Sequence, residues 1–264
     1  MPVSASASEP AMKSVLVTGA AQRIGHAIAL ALAGAGWRVA VHYNTSADAA
    51  DRTVKAIRAA GGEAVAVQAD LADDAATAAL MGKAAEALGG PLAALINNAS
   101  VFEHDQWDTV TPESWGQNMA VNLWAPFRLS QAFARQLPEG QTGAIVNLID
   151  QRVRRLNPDF TSYTVSKTGL WTLTQTLAQA LAPRIRVNGV GPGPVLQSIH
   201  QSSKHFEQEA ANVPLERAVD PEEVAEAVLF LLRAQAVTGQ MIAVDCGQHL
   251  AWATPDFIGQ TSTE

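Results

Sequence analysis

The sequence predicts a single doubly wound α/β domain, with a parallel sheet of about seven strands flanked by helices. From Lys13 onward, short β-branched runs alternate with alanine-rich stretches of helical length. Several of the short runs are apolar almost throughout, which is typical of parallel strands covered on both faces. Alternation of this kind builds βαβ units. Since no break in composition interrupts it, residues 13–264 are predicted to form one domain, and the small, polar residues 1–12 a disordered leader.

The predicted strands lie, in chain order, at 14–18, 38–43, 63–68, 92–96, 143–149, 184–190 and 240–245. The predicted helices lie at 23–35, 47–60, 73–88, 112–137, 161–182 and 220–234. Asp220 and Pro221 suit the N-cap and first position of a helix, and Gly61-Gly62 suits a helix end. The polar stretch 194–219 has no clear strand or helix pattern, so we expect a flexible element there. It follows the sixth strand, at the edge of the sheet where ligands bind in this architecture.

Composition excludes several classes of function. No apolar run approaches the roughly 20 residues of a membrane helix. The net charge is −7 and no basic block is present, which disfavours a nucleic-acid partner. A single cysteine, Cys246, cannot form an internal disulfide or a cysteine-based zinc site, and the six histidines lack metal-ligand spacing. We therefore predict that the protein holds no metal. The start of the sequence has no signal-peptide layout, which predicts a cytoplasmic protein.

The turn after the first strand, from Thr18 to Gly25, is predicted to bind a pyrophosphate. Its two glycines open a helix, whose free backbone N–H groups and positive dipole end attract phosphate. The spacing departs from GxGxxG, and Arg23 stands where a glycine is usual. An arginine there could add a charged contact to the phosphates. The alternative is a βα turn that needs glycine only for its conformation.

The end of the second strand favours NADPH over NADH. NAD sites usually place a carboxylate here for the ribose 2′-hydroxyl, but no Asp or Glu occurs between Gly19 and Asp48. Asn44, Thr45 and Ser46 offer hydrogen-bond donors to a 2′-phosphate instead. The arginine that such a phosphate usually receives is missing.

The strongest catalytic motif is Tyr163-x-x-x-Lys167 in the predicted helix 161–182. Residues four apart lie on one helix face, so the phenol and the ammonium should lie together. A nearby ammonium is expected to lower the tyrosine pKa from about 10, as a general acid/base requires. Such a pair on an ordinary amphipathic helix is the alternative.

Other motifs accompany this pair. Asn97-Asn98-Ala99 follows the fourth strand, Asn122 lies in the fourth helix, and the glycine-rich run 188–193 covers the sixth strand and its end. Together these motifs resemble the short-chain dehydrogenase/reductase family over residues 13–252. The resemblance implies a Rossmann-type fold and a homotetramer paired through the fourth and fifth helices.

The resemblance also implies roles for individual residues. Tyr163 would transfer a proton, Lys167 would hold the nicotinamide ribose and lower the tyrosine pKa, and Asn122 would order a proton-relay water. The segment 97–100 would line the cofactor, and the segment 192–193 would fix the nicotinamide face. Asp70 and Leu71 would lie over the adenine, unless Asp70 merely caps a helix.

One departure from the family concerns the substrate. Most members carry a serine 13 residues before the tyrosine, but here that residue is Asp150. A carboxylate donates no hydrogen bond and would repel a developing alkoxide, whereas it suits a substrate with N–H groups near the reacting bond. The alternative is a surface carboxylate paired with Arg152, Arg154 or Arg155.

Asp150 and Arg23, with the runs Gly-Ala-Ala-Gln-Arg-Ile-Gly, His-Tyr-Asn and Asn-Asn-Ala-Ser-Val-Phe, resemble the pteridine reductase branch. Its bacterial members act on dihydromonapterin or dihydrofolate, in folate metabolism. The resemblance implies that a pterin stacks between the nicotinamide and Phe102, which could otherwise be a loop aromatic packed on the core. Arg23 would touch both the pyrophosphate and the pterin.

The predicted function is therefore NADPH-dependent reduction of a pterin C=N bond. Two alternatives remain, namely a short-chain reductase of an acyl, sugar or other carbonyl compound, and a catalytically silent nucleotide-binding regulator. The predicted catalytic residues are Asp150, Tyr163, Lys167 and Asn122. The predicted cofactor-binding residues are Gly19, Arg23, Ile24, Asn44, Thr45, Ser46, Asp70, Leu71, Asn98, Ala99, Ser100, Tyr163, Lys167, Pro192 and Gly193. The predicted substrate-binding residues are Arg23, Ser100, Phe102, Asp150 and Tyr163.

Overall fold

The computed structural model describes residues 13–197 and 201–250. The predicted leader 1–12 and residues 251–264 lie outside the described residues, as does His200. In the described part, seven strands form one parallel sheet in the order β3-β2-β1-β4-β5-β6-β7. The strands are β1 (Ser14–Val17), β2 (Arg38–Tyr43), β3 (Ala64–Gln68), β4 (Ala94–Asn97), β5 (Gly143–Leu148), β6 (Ile185–Pro192) and β7 (Met241–Val244). The predicted fold class is confirmed.

The helices cover both faces of this sheet. They are α1 (Arg23–Gly34), α2 (Ala47–Ala59), α3 (Asp74–Ala87), α4 (Pro112–Met119), α5 (Ala125–Gln136), α6 (Thr161–Leu181), α7 (Ser203–Ala211) and α8 (Pro221–Arg233). None of the helices in the described residues is long and apolar enough to cross a membrane.

Alternate residues of the strands feed two cores. In β1, Val15 and Val17 pack into the core shared with α1, α2 and α8, whereas Leu16 packs into the core shared with α3, α5 and α6. All three side chains are fully buried. Burial on both faces explains why these strands are apolar without alternation.

Two predicted helix boundaries are confirmed. Asp220 and Glu223 form a capping box at the start of α8, with Pro221 in the first turn. Gly61, just beyond α2, has a φ of +83°, a left-handed conformation that favours glycine.

Two helical predictions need correction. The predicted helix 112–137 is interrupted by a π-helical turn at Ala120–Trp124, which separates α4 from α5. The stretch 194–219, expected to lack regular helix, contains α7, with Ser202 accepting the N–H of His205 as N-cap. Only Ala210 of this nine-residue helix is buried, so the sequence has few apolar residues that could mark the helix.

Candidate active site

Two adjoining pockets lie along the carboxyl ends of the strands. The sheet order reverses between β1 and β4, and this switch point opens the crevice in which doubly wound folds bind ligands. The glycine-turn pocket, about 390 Å³, is lined by the turn after β1 and by the ends of β2, β3 and β4. The tyrosine pocket, about 710 Å³, is lined by Asp150, Tyr163, Lys167 and the segment after β6. Arg23 and Ile24 line both.

The turn after β1 is held by side chains from neighbouring strands. Gly19, with φ +63°, donates its N–H to Nδ1 of His42 at 3.0 Å. The Asn98 amide donates to the carbonyls of Thr18 (2.8 Å) and Gly19 (3.2 Å). A Cβ at Gly25 would lie 2.2 Å from the Gly19 carbonyl oxygen, so only glycine fits there. These contacts fix the shape of a glycine turn that opens a helix, a form that suits a dinucleotide phosphate.

His42 was not among the predicted site residues. Its Nε2 lies 3.1 Å from the Ala69 carbonyl, so Nε2 carries the proton and Nδ1 accepts from Gly19. Burial lowers the pKa of His42 from 6.5 to about 4, which keeps the imidazole neutral and Nδ1 free to accept. The only sequence signal was a polar residue inside an apolar strand.

Arg23 opens α1 in a left-handed conformation, with φ +55°. Its guanidinium donates to the carbonyls of Leu196 and Gln197, both at 3.1 Å. In this structure Arg23 therefore links the start of α1 to the segment after β6. Contact of Arg23 with phosphate and pterin stays a prediction.

The other predicted cofactor contacts are brought together as the sequence indicated. The glycine-turn pocket is lined by Asn44, Thr45, Ser46, Asp70, Leu71, Asn98, Ala99 and Ser100, and the tyrosine pocket by Pro192 and Gly193. Asp70 does not cap α3, because Asp73 accepts the first-turn N–H groups of that helix. Asp70 accepts instead from the Ala72 backbone at 2.9 Å and from Asn44 at 3.4 Å.

Asp150 and Tyr163 form the centre of the tyrosine pocket. The Tyr163 hydroxyl donates to Oδ2 of Asp150 at 2.8 Å, and Oδ1 of Asp150 accepts the backbone N–H of Arg152 at 2.7 Å. Within residues 13–197 and 201–250, no ion pair joins Asp150 to Arg152, Arg154 or Arg155. The alternative of a surface ion pair is therefore not what the structure has.

The expected direction of the Tyr163 pKa shift is wrong. Burial, reinforced by the adjoining Asp150 carboxylate, raises the Tyr163 pKa well above 10. Burial also raises the pKa of Asp150 and lowers that of Lys167 to about 8. The Lys167 ammonium donates to the Leu148 carbonyl at 2.8 Å and lies 5.6 Å from the centre of the tyrosine ring. The ammonium charge therefore affects the Tyr163 pKa less than the Asp150 carboxylate does, because only the carboxylate is hydrogen-bonded to the phenol. Tyr163 thus stays protonated and neutral.

Asn122 lies in the π turn, is fully buried and lines neither pocket. Its Oδ1 accepts from the Ser100 hydroxyl at 3.0 Å and from the Val101 N–H at 2.9 Å. Its Nδ2 lies within hydrogen-bond distance of the Val101 carbonyl (3.0 Å) and the Ser166 hydroxyl (3.1 Å). Asn122 therefore ties the segment after β4 to α6, and π turns are frequent at such sites.

Phe102 lines the tyrosine pocket together with Phe160, and its stacking on a pterin stays a prediction. Its ring stacks on Phe160, with centroids 4.1 Å apart and planes 14° from parallel, and meets Tyr163 edge-on at 4.7 Å. The Arg152 guanidinium lies 5.2 Å from the Phe160 centroid. Sequence reasoning missed Phe160, because its place depends on a left-handed φ of +61° just before α6.

Comparison with known proteins finds similarity to several reductases. A family model described as "Enoyl-(Acyl carrier protein) reductase" matches residues 19–249. The 3-oxoacyl-[acyl-carrier-protein] reductase FabG of Staphylococcus aureus is 34% identical over 90% of this chain and 98% of its own. The crystal structure of FolM alternative dihydrofolate reductase 1 from Brucella suis, in complex with NADP, is 47% identical, with a TM-score of 0.89 over 92% of this chain and 98% of that one. The angucycline C-6 ketoreductase LanV with bound NADP is 34% identical, with a TM-score of 0.85 over 90% and 96%.

Proposed function

The chain belongs to the short-chain dehydrogenase/reductase family of oxidoreductases, which use NAD(P), and we propose that it is an NADPH-dependent reductase of the C=N bond of a dihydropterin. The observation that carries this proposal is the Asp150 carboxylate accepting the Tyr163 hydroxyl inside the tyrosine pocket. A FolM structure from Brucella, described as an alternative dihydrofolate reductase with NADP, supports both the substrate class and the cofactor.

The pocket chemistry suits a flat, nitrogen-rich ring. A heteroaromatic ring lying on Phe102 would gain about 1 kcal/mol from stacking beyond the burial of its area. Asp150 would accept N–H groups of that ring, and Tyr163 would donate to a ring nitrogen. Stacking against the nicotinamide orients the ring carbon for reaction, which lowers the entropic part of the barrier.

The proton part of the reaction falls to residues of this chain. Bound NADPH supplies the hydride that reaches the C=N carbon. Tyr163, a neutral phenol, donates its proton to the nitrogen of that bond. Asp150, whose pKa is raised by burial, can hold a proton and return it across the 2.8 Å hydrogen bond. Lys167 would hold the nicotinamide ribose. Asn122 would position Ser100 and Val101, to which it is hydrogen-bonded.

The cofactor side of the proposal assigns the glycine-turn pocket to the adenosine and phosphates. Asn44, Thr45 and Ser46 would meet the 2′-phosphate, and Asp70 and Leu71 the adenine. Gly19, Ile24 and the segment 98–100 would contact the dinucleotide, with Pro192 and Gly193 at the nicotinamide. Arg23 would exchange its carbonyl contacts for the pyrophosphate and the pterin.

A carbonyl reductase is the second candidate function. It is favoured by the 3-oxoacyl-[acyl-carrier-protein] reductase FabG and by the ketoreductase LanV, which both resemble this chain. A silent nucleotide-binding regulator has less support, because Tyr163, Lys167 and Asn122 are all present. For the assembly we propose a cytoplasmic homotetramer in which subunits pair through α5 and α6. This pairing would cover half-exposed apolar side chains such as Trp124 (48%), just before α5, and Val165 (43%), in α6.

The deciding test replaces Asp150 and compares two substrate classes. Asp150→Ser introduces the serine that most family members carry at this position and removes the carboxylate. The kcat/KM for dihydropterins should therefore fall about 100-fold. Activity on a small activated ketone should stay level or rise, and the Kd for NADPH should hardly change. Asp150→Asn keeps the shape without the charge and should also lose pterin activity. If Asp150→Ser reduces dihydropterins as well as the parent, the carbonyl-reductase alternative replaces the pterin proposal.

A further inference from the structure

We propose that Asp105 is a positioning residue that fixes the Phe102–Phe160 pair against the start of α6, the helix that carries Tyr163. None of the roles proposed above involves Asp105. The inference deepens the proposed function, because it concerns the platform on which a pterin would stack. Asp105 lies in the segment after β4 and is only 2% exposed. Among the described residues it forms no ion pair with a lysine, arginine or histidine.

Asp105 is surrounded by hydrogen-bond donors, most of them at the start of α6. Its Oδ1 accepts the backbone N–H of Ser162 at 3.0 Å, and its Oδ2 accepts the Ser162 hydroxyl in a short hydrogen bond. Oδ2 also accepts the Ser114 hydroxyl at 3.0 Å. The Asp105 backbone carbonyl accepts the N–H of Thr161 at 3.2 Å. A buried carboxylate is tolerated when donors surround it in this way.

Asp105 supplies the cap that α6 cannot supply for itself. The residue at the N-cap position is Phe160, which has no side-chain acceptor and is held at a φ of +61°. The first N–H groups of a helix have no partner within the helix, and its N-terminus favours negative charge. Asp105 meets both needs from another segment of the chain. The start of α6, next to Tyr163, is therefore set by the segment that carries Phe102.

The contact continues as a ring, which buried hydrogen bonds form together with the backbone of residues 101–105. The Ser162 hydroxyl accepts from Nδ2 of Asn118 at 2.8 Å, and Oδ1 of Asn118 accepts from Asn122 at 3.0 Å. Asn122 then binds both the N–H and the carbonyl of Val101. The segment 101–105 is thus anchored at both ends, with Phe102 between the anchors. Loss of one anchor should let the platform move relative to Tyr163.

The first test is Asp105→Asn, with Asp108→Asn as matched control. Asparagine keeps the shape, but its NH2 group only donates, so the side chain cannot accept the Ser162 N–H and both hydroxyls as the carboxylate does, and it removes the charge at the helix start. We expect kcat for dihydropterin reduction, per folded molecule, to fall about 10- to 100-fold, because small misplacements cost rate steeply. The Kd for NADPH should stay within about twofold, since Asp105 itself lines neither pocket and the turn after β1 is held by other side chains. Asp108 is exposed three residues later, and its variant should match the parent.

The second test separates positioning from a general loss of stability. Ser162→Ala removes the hydroxyl from the same ring, so its loss of kcat should not add to that of Asp105→Asn in the double variant. Ser130→Ala removes another buried hydroxyl, which donates to the Pro126 carbonyl in α5. It should lower the Tm without changing kcat. A parental kcat in Asp105→Asn, or additive losses in the double variant, would overturn the proposal.

The experiment also distinguishes this proposal from the proposed function. If the parent enzyme does not reduce dihydropterins, the proposed function fails. The same variants are then measured with the carbonyl compound that the parent does reduce. A lower kcat in Asp105→Asn at unchanged NADPH affinity still supports the positioning of α6, and an unchanged kcat overturns it.

Discussion

A single hydrogen bond joins the Tyr163 hydroxyl to the Asp150 carboxylate in the tyrosine pocket. Burial raises the pKa of both groups, and the Asp150 carboxylate raises the pKa of Tyr163 further, whereas the hydrogen bond from Tyr163 favours the ionised form of Asp150. Because the two groups interact directly, their titration belongs to the pair and not to either residue alone. Such a pair suits protonation of a ring nitrogen, whereas a serine would suit a carbonyl oxygen.

The role of Tyr163 gives the prediction at the residue scale. Tyr163→Phe removes the proton donor but keeps the ring that meets Phe102 edge-on. Turnover should fall at least about 100-fold, with NADPH binding nearly intact. Lys167→Ala should impair both turnover and NADPH binding, because the ammonium would hold the ribose. Steady-state kinetics and a fluorescence titration of NADPH measure the two effects. Near-normal turnover in Tyr163→Phe would sink the proposed mechanism.

The residues that sequence reasoning missed share one property. His42, Asp105 and Phe160 act through partners far away in the chain, and no local pattern marks them. Asp150, Tyr163 and Lys167 were found because their spacing is local or resembles a family motif. The direction of the Tyr163 pKa shift was missed for the same reason. It depends on burial and on a carboxylate distance, which only the folded chain provides.

At the scale of elements, prediction succeeded where burial and punctuation agree. The predicted strand 38–43 has the bounds of β2, because its apolar run is buried and has polar residues beyond it. The π turn was missed, since a π turn has the same apolar pattern as the helix around it. Helix α7 was missed because it buries almost nothing.

The end of β2 gives the prediction at this scale. Asn44, Thr45 and Ser46 form a neutral edge of the glycine-turn pocket, so a 2′-phosphate meets no carboxylate of this strand end. The Kd should be at least about tenfold lower for NADPH than for NADH, which is about 1.4 kcal/mol. Asn44→Asp places a charge at this edge and should abolish the preference. Fluorescence titration of both cofactors measures it. Equal affinities in the parent would mean that these three residues do not hold a phosphate.

At the scale of the molecule, the sheet order explains why distant sequence motifs form one site. The reversal between β1 and β4 brings the glycine turn, the segment after β4 and the Tyr163 helix to one edge of the sheet. His42 joins the glycine turn to the segment after β3, because it bridges Gly19 and the Ala69 carbonyl. Its protonation state therefore concerns both the stability of the fold and the shape of the glycine turn.

The stability of the whole molecule should depend on pH through His42. Its pKa is about 4 in the folded protein and about 6.5 when unfolded, so between these values only the unfolded chain binds the proton. The contribution of His42 to the free energy of unfolding should be nearly constant above pH 6.5 and should fall by up to about 3 kcal/mol as the pH drops to 4. His42→Asn cannot titrate but retains an acceptor for the Gly19 N–H. Urea unfolding between pH 7.5 and 4.5 measures the free energy of unfolding. Its slope against pH should be smaller in this variant than in the parent, by an amount that corresponds to the uptake of up to one proton on unfolding. Equal slopes would show that the His42 pKa is not lowered by folding.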